Sequence, residues 1–164
     1  MVKYAKMGTI DDCIKANNKC ISCPLRDSCD FYWIYKLWGP NSDLLGACMP
    51  QVLKDSIRNN RVLVSDTDGF CEFHLAKTRG HVTVNHICVS PKARGKGIAT
   101  QFLDKLDELY DYPVKAVCIA NSSAEDFWRS KGRLAGTSVS RKGTLLHIYI
   151  KDKQCFRIKK EDLF

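Results

Sequence analysis

Residues 87–99 read Ile-Cys-Val-Ser-Pro-Lys-Ala-Arg-Gly-Lys-Gly-Ile-Ala, an apolar strand ending in a basic, glycine-rich turn that opens directly into an amphipathic helix. Such a turn holds an anion. Gly95 and Gly97 let the backbone approach without side-chain obstruction, N–H groups near Gly97, Ile98 and Ala99 point at the ligand, and Arg94 and Lys96 add charge. A diphosphate suits these groups. Two other phosphate sites are excluded by spacing: a dinucleotide turn needs a third glycine and a following βαβ unit with an acidic ribose ligand, and a P-loop needs Gly-Lys-Ser/Thr after four intervening residues.

A second set of candidates is Cys13, Cys20, Cys23 and Cys29, spaced Cys-x6-Cys-x2-Cys-x5-Cys, with Pro24 tightening the turn after the close pair. Four thiolates could hold Zn2+ tetrahedrally, and Cys20-x-x-Cys23 is the usual knuckle for half of such a site. An iron–sulfur cluster could use the same ligands, and a metal-free set of thiols is the third reading, because no second close pair matches the first. The chain has nine cysteines, an odd number scattered through strands and loops, which argues against a disulfide framework and for a reducing compartment. Cys88 and Cys118 raise the idea of covalent thiol catalysis. Cysteine is, however, a common small apolar strand residue, and no His-Asp pattern surrounds either one.

The elements that must position these groups follow from periodicity and turn chemistry. Residues 2–7 alternate weakly as a first strand, and Thr9 with Asp12 forms a capping pattern that opens a helix through Ile14 and Ala16. A cysteine-rich turn spans 20–29. The aromatic run 31–38 reads as a buried helix in preference to a strand, and Gly39-Pro40-Asn41-Ser42 is a turn. Pro50 suits the first position of a helix carrying Val52, Leu53 and Ile57 and ending at Asn59-Asn60. Residues 61–65, 70–77 and 81–89 are expected as three strands joined by hairpin turns, an antiparallel meander. Ile98, Phe102, Leu103, Leu106 and Leu109 recur at helical spacing, so the strand from Val114 to Ile119 must run parallel to the phosphate-binding strand. Residues 134–139 and 145–150 make a last hairpin around Arg141-Lys142-Gly143.

The pattern Arg/Gln-x-x-Gly-x-Gly/Ala, here Arg94, Gly97 and Ala99 preceded by Val89-Ser90-Pro91, resembles the acyl-CoA signature of the GCN5-related N-acetyltransferases, the GNAT superfamily. The resemblance extends to a second cofactor segment, where Asn121, Ala124, Phe127-Trp128 and Gly132 fall at the family spacing, with Trp128 standing where tyrosine is usual. It covers residues 61–150. The resemblance implies an α/β fold with a GNAT-like mixed sheet: an antiparallel meander, a parallel β-α-β cofactor-binding unit and a C-terminal hairpin. Residues 1–164 are expected as one such domain, with a cysteine-rich segment at 13–29 and a basic tail at 151–164.

The same resemblance implies an acyl-CoA-dependent N-acyltransferase, acetyl-CoA being the expected donor, in which the amine attacks directly in a ternary complex. Backbone groups of Cys88 and Val89 would pair with the pantetheine arm between two splayed parallel strands. The family often places a basic carboxylate where this chain has Asn85 and His86, so His86 becomes the candidate base, imidazole being a side chain able to take a proton near neutral pH. Trp128 cannot deliver a proton to the departing thiolate, which leaves Ser122, Ser123, Tyr149 or solvent. A CoA-binding module without turnover is a further reading.

The net charge of +8 points to anionic partners, and residues 129–160 hold ten Lys and Arg against the single acid Asp152. CoA phosphates account for part of this charge. The remainder, together with the cysteine knuckle, suits a nucleic-acid-directed protein on the same fold, such as a phage-type DNA-modification enzyme. The apolar runs are strand-length and interrupted by charge, so no membrane partner and no signal peptide are expected, and the expected location is the cytoplasm.

Overall fold

The structure is a computed structural model that describes residues 1–41, 45 and 49–153. Its strands are β1 (Val2–Tyr4), β2 (Val62–Ser65), β3 (Gly69–Ala76), β4 (His81–Val89), β5 (Val114–Ile119), β6 (Arg133–Val139) and β7 (Leu145–Lys151). The helices are α1 (Ile10–Lys15), α2 (Asp30–Trp38), α3 (Pro50–Arg58), α4 (Ile98–Leu109) and α5 (Ser123–Lys131). The strands form one mixed sheet in the order β1-β2-β3-β4-β5-β7-β6, the expected α/β arrangement. Two compact units divide the chain: Met1–His74 with Val84–Lys105, and Leu75–Thr83 with the residues from Leu106 onward.

In the first unit β2 is buried at every position, and it pairs antiparallel with β1 on one side and β3 on the other. Phe31, Ile34 and Trp38 recur at helical spacing along one face of α2, and Leu53 and Ile57 do the same on α3. These side chains join Val62, Val64 and Phe70 in one core, with Trp38 stacked on Phe70 at 5.5 Å. Pro50 sits in the first turn of α3, as its fixed φ and missing N–H favour. The first strand is shorter than the sequence suggests. Ala5 still donates to the Val62 carbonyl, but the Lys6 N–H turns to the Asp30 carboxylate at 2.7 Å, which draws the chain out of the sheet.

Residues 9–29 contrast with that core. Thr9 and Asp12 close a reciprocal capping box, Asp12 N–H donating to Thr9 Oγ1 at 3.1 Å and Thr9 N–H to Asp12 Oδ2 at 2.9 Å. Beyond that cap, α1 and the two short turns Cys20–Ser22 and Arg26–Ser28 bury no residue.

In the second unit β7 lies between β5 and β6, so the C-terminal hairpin folds its second strand against β5. The register sets Cys118 opposite His147, Ala116 opposite Tyr149 and Val114 opposite Lys151. The two-residue period of a strand then brings His147, Tyr149 and Lys151 to one face. Gly132 ends α5 where a Cβ would meet the Ile150 carbonyl oxygen at 2.5 Å, so no larger residue fits without moving β7. Ser42 and the tail from residue 154, both part of the sequence expectations, lie outside the described residues. No helix among the described residues is long and apolar enough to cross a membrane.

Candidate functional site

The chain leaves β4 at Val89 and reaches α4 through a turn that is exposed from Arg94 to Gly97. Gly95 and Gly97 have φ of +79° and +77°, the left-handed region that favours glycine, and a Cβ at either would meet nothing within 4 Å. The turn therefore opens its backbone to solvent. The first α4 bond runs from Gln101 N–H to the Gly97 carbonyl, so the N–H groups of Ile98, Ala99 and Thr100 precede the helical ladder. Arg94 is tied back to the strand by Nε, which donates to the Val89 carbonyl at 3.1 Å, while Lys96 is exposed. Cys88 is buried beneath the turn, and that burial pushes its thiol up despite the opposing charge of Arg94.

Two positions upstream on β4, His86 Nδ1 lies 3.0 Å from Glu72 Oε2 of β3, and the other Glu72 oxygen accepts from Ser56 Oγ at 3.3 Å. Trp38 packs its ring 4.3 Å from the imidazole, so a carboxylate and an aromatic face together fix the orientation of His86. Glu72 is buried and His86 half-buried. Asn85 points the other way along the strand, exposed, with its Oδ1 at 3.2 Å from His74 Nδ1. Glu72 is the residue that sequence reasoning missed. Its signal was a lone acid inside the apolar run of Phe70, Cys71 and Phe73.

The second segment is organised differently. Ser122 caps α5, accepting from Glu125 N–H at 3.3 Å, and its own hydroxyl donates to the Ile119 carbonyl at 2.6 Å. That bond uses the hydroxyl proton expected of a catalytic acid. Asn121 adopts φ +61° and donates its N–H to Glu125 Oε1 at 3.1 Å. Glu125, fully buried, also accepts from Arg129 at 3.0 Å, from Tyr149 Oη at 3.2 Å and from His147 in a short contact. The Asn121 N–H holds this carboxyl below its ordinary value against the cost of burial, and His147 and Tyr149 add to the effect. Burial, and then the hydrogen bond to Glu125, push the Tyr149 phenol up, so it is a poor proton source. Trp128 is buried with its ring edge-on to Phe127 at 5.2 Å, and Ala124 is exposed. Glu125 and His147 were not singled out from sequence, although Ser122-x-x-Glu125 is a capping-box pattern.

Burial also pushes up the thiols of Cys71 and Cys118, with nearby Glu72 and Glu125 respectively adding to the shift, a direction that disfavours the thiolate a covalent mechanism needs. Cys13, Cys20, Cys23 and Cys29 are free thiols that line one cavity. Among the described residues, however, no three His, Cys, Asp or Glu side chains converge on one ion position.

The sequence model described as the acetyltransferase (GNAT) domain matches residues 45–152. The chain belongs to the GNAT acetyltransferase family. It is an acyl-CoA-dependent N-acyltransferase by membership of that family. A GNAT-family acetyltransferase from Bacillus cereus is similar in fold, with 17% identity and a TM-score of 0.59 over 94% of this chain and 99% of that one. The ribosomal-protein-S18-alanine N-acetyltransferase of Escherichia coli is similar at 12% identity and a TM-score of 0.56, over 79% and 92%. N-acetylglutamate synthase from Neisseria gonorrhoeae, solved with coenzyme A and N-acetyl-glutamate, aligns over 94% of this chain and 35% of its own, at 14% identity and a TM-score of 0.58. No curated protein matches the chain by sequence.

Proposed function

We propose that the protein acetylates an amine using acetyl-CoA, with the 94–99 turn receiving the pyrophosphate and His86, oriented by Glu72, receiving the proton of the amine. The observation that carries this reading is the open turn: two left-handed glycines, free helix-start N–H groups and two cations gathered at the end of β4. These residues fit a diphosphate, since a Cβ on either glycine would meet nothing within 4 Å and the exposed Arg94 and Lys96 belong to the same turn. When bound, acetyl-CoA supplies an acyl group activated as a thioester.

The roles of the protein groups follow from their partners. Glu72 at Nδ1 leaves Nε2 of His86 as the nitrogen able to take a proton, and a carboxylate behind it stabilises the imidazolium that results. Trp38 keeps the ring from rotating away. The Ser122 hydroxyl is committed to Ile119 and Tyr149 is buried against Glu125, so solvent protonates the leaving sulfur. Trp128 contributes packing without acid chemistry. A nucleic-acid partner is the second reading: Arg129, Arg133, Lys151 and Lys153 each face an acid, which leaves fewer of the ten cations of residues 129–160 to attract phosphates. A small amine or a peptide amine is the preferred acceptor class.

The test is acetyl-CoA turnover against a panel of polyamines, amino sugars, lysine peptides and N-terminal peptides, reading free thiol and acetylated product together. Amine-dependent release in equal amounts is the expected result. Acetyl-CoA binding with no release for any amine would make the protein a binding module instead.

A further inference from the structure

Cys20 and Cys23 stand at the two ends of one tight turn. Residues Cys20–Ser22 form a single 3-10 turn, and the Cys23 N–H closes it by donating to the Cys20 carbonyl at 3.1 Å. Such a turn rises about 2.0 Å per residue and eclipses side chains three positions apart, so the two Cα atoms lie about 6 Å from each other with both side chains on one face. That span falls within the range a disulfide bridges, about 4.4–6.8 Å. An extended chain would hold the same two residues about 10 Å apart.

Both residues are free thiols, and both line one cavity whose free space of about 20 Å³ has room for little more than a water molecule. Arg26 belongs to the same wall, its backbone N–H donating to the Cys23 carbonyl at 3.1 Å and its Nη1 to the Ile21 carbonyl at 2.8 Å. Its Nε also meets Asp27 at 3.6 Å. A partly exposed thiol with a guanidinium at hand is the setting in which cysteines react. The two members of the pair differ in their surroundings. Cys20 packs against the core that holds Phe31 and Ile34, and burial pushes its thiol up. Cys23 is half-buried and is followed by exposed Pro24. An incoming reagent therefore meets Cys23 first, with Cys20 behind it.

We propose that Cys20 and Cys23 form a reversible dithiol–disulfide site that is oxidised by a low-molecular-weight disulfide. The Cys23 sulfur attacks one sulfur of the reagent, whose S–S bond breaks, and the first thiol leaves with the proton from Cys23. The Cys20 sulfur then attacks Cys23 Sγ, the mixed disulfide breaks, and the second thiol leaves with the proton from Cys20. Two protein thiols thus give up two electrons and two protons, and the reagent becomes two thiols. The bond would fix a segment that has little else to fix it, since α1 and both short turns bury no residue. The site does not depend on the transfer reaction proposed above.

The full chain is equilibrated in buffers of rising oxidised-to-reduced glutathione ratio, quenched in acid, unfolded, alkylated and digested with trypsin. Cleavage after Lys19 and Arg26 releases residues 20–26, a peptide that carries Cys20 and Cys23 and no other cysteine. This peptide should pass from doubly alkylated to unalkylated and lighter by two hydrogens, and a reducing agent should reverse the change. The folded chain should reach half-oxidation at a ratio about tenfold lower than the chain in urea, because the turn holds the two sulfurs together in advance. Cys20→Ser should stop at glutathione bound to Cys23, and Cys23→Ser should leave Cys20 open to alkylation; the map of the native chain stands without either variant. A peptide that stays doubly alkylated throughout would overturn the proposal. So would Cys20 or Cys23 joined to the peptide of Cys13 or Cys29, or the same ratio for the folded and unfolded chains.

Discussion

The two segments that carry the family resemblance handle their polar groups in opposite ways. At 94–99 the glycines face open space, and the helix-start N–H groups precede the hydrogen-bond ladder. At 121–132 each strong group is answered from within: Asn121 N–H, Arg129, His147 and Tyr149 all converge on one buried carboxylate. Unanswered backbone N–H groups on an exposed turn invite a ligand, whereas a satisfied buried network fixes a shape. The first segment leaves its backbone open, as the proposed pyrophosphate site requires, and the second holds α5 against β7.

Substitutions in the two segments and at His86 separate binding, chemistry and folding. The largest effect is expected at the candidate base: His86→Ala should lower kcat by about 100-fold or more while leaving acetyl-CoA affinity nearly unchanged, with a lower melting temperature because buried Glu72 loses a partner. Glu72→Gln should reduce kcat less and shift the pH profile of kcat, since the imidazolium loses its carboxylate but keeps a hydrogen-bonding partner. Unchanged kcat in both variants would remove His86 from the mechanism.

Next in size is Glu125→Ala, which should depress the thermal midpoint strongly because it strands Arg129, His147 and Tyr149, with turnover per folded molecule little altered. Loss of activity in a fully folded Glu125→Ala protein would show that the network acts in chemistry after all. The pH dependence is set by the lowered carboxyl: its stabilisation is complete above the ordinary value of 4.5 and is lost as the pH falls through the lower folded value. Acid unfolding followed by circular dichroism should therefore show a steeper loss below that point in the native protein than in Glu125→Gln. The smallest effect belongs to Trp128→Tyr, expected to change kcat less than about threefold, since the buried indole packs and donates no proton.

Much of this was legible in the chain because the signals are local. The glycines and cations of 94–99, the Thr9–Asp12 cap and Pro50 at a helix start each declare their structure within a few residues. The contribution of Glu72 was not legible, because its meaning depends on strand register that brings it beside His86, fourteen positions away. Glu125 was hidden for the same reason, its partners arriving on β7 from more than twenty residues downstream. Ser122 misled in the other direction. A serine at that position reads as chemistry until the helix it caps is seen.

If the 94–99 turn holds the pyrophosphate of acyl-CoA, calorimetric titration of acetyl-CoA into native protein and Gly97→Glu should separate the two. Gly97 has φ +77° and open space around it, so a glutamate there puts a carboxylate and a strained backbone where the anion should lie, while leaving the buried core untouched. Affinity should fall by about 100-fold or more in the variant, with the circular dichroism spectrum preserved. Equal affinity in the two folded proteins would contradict it.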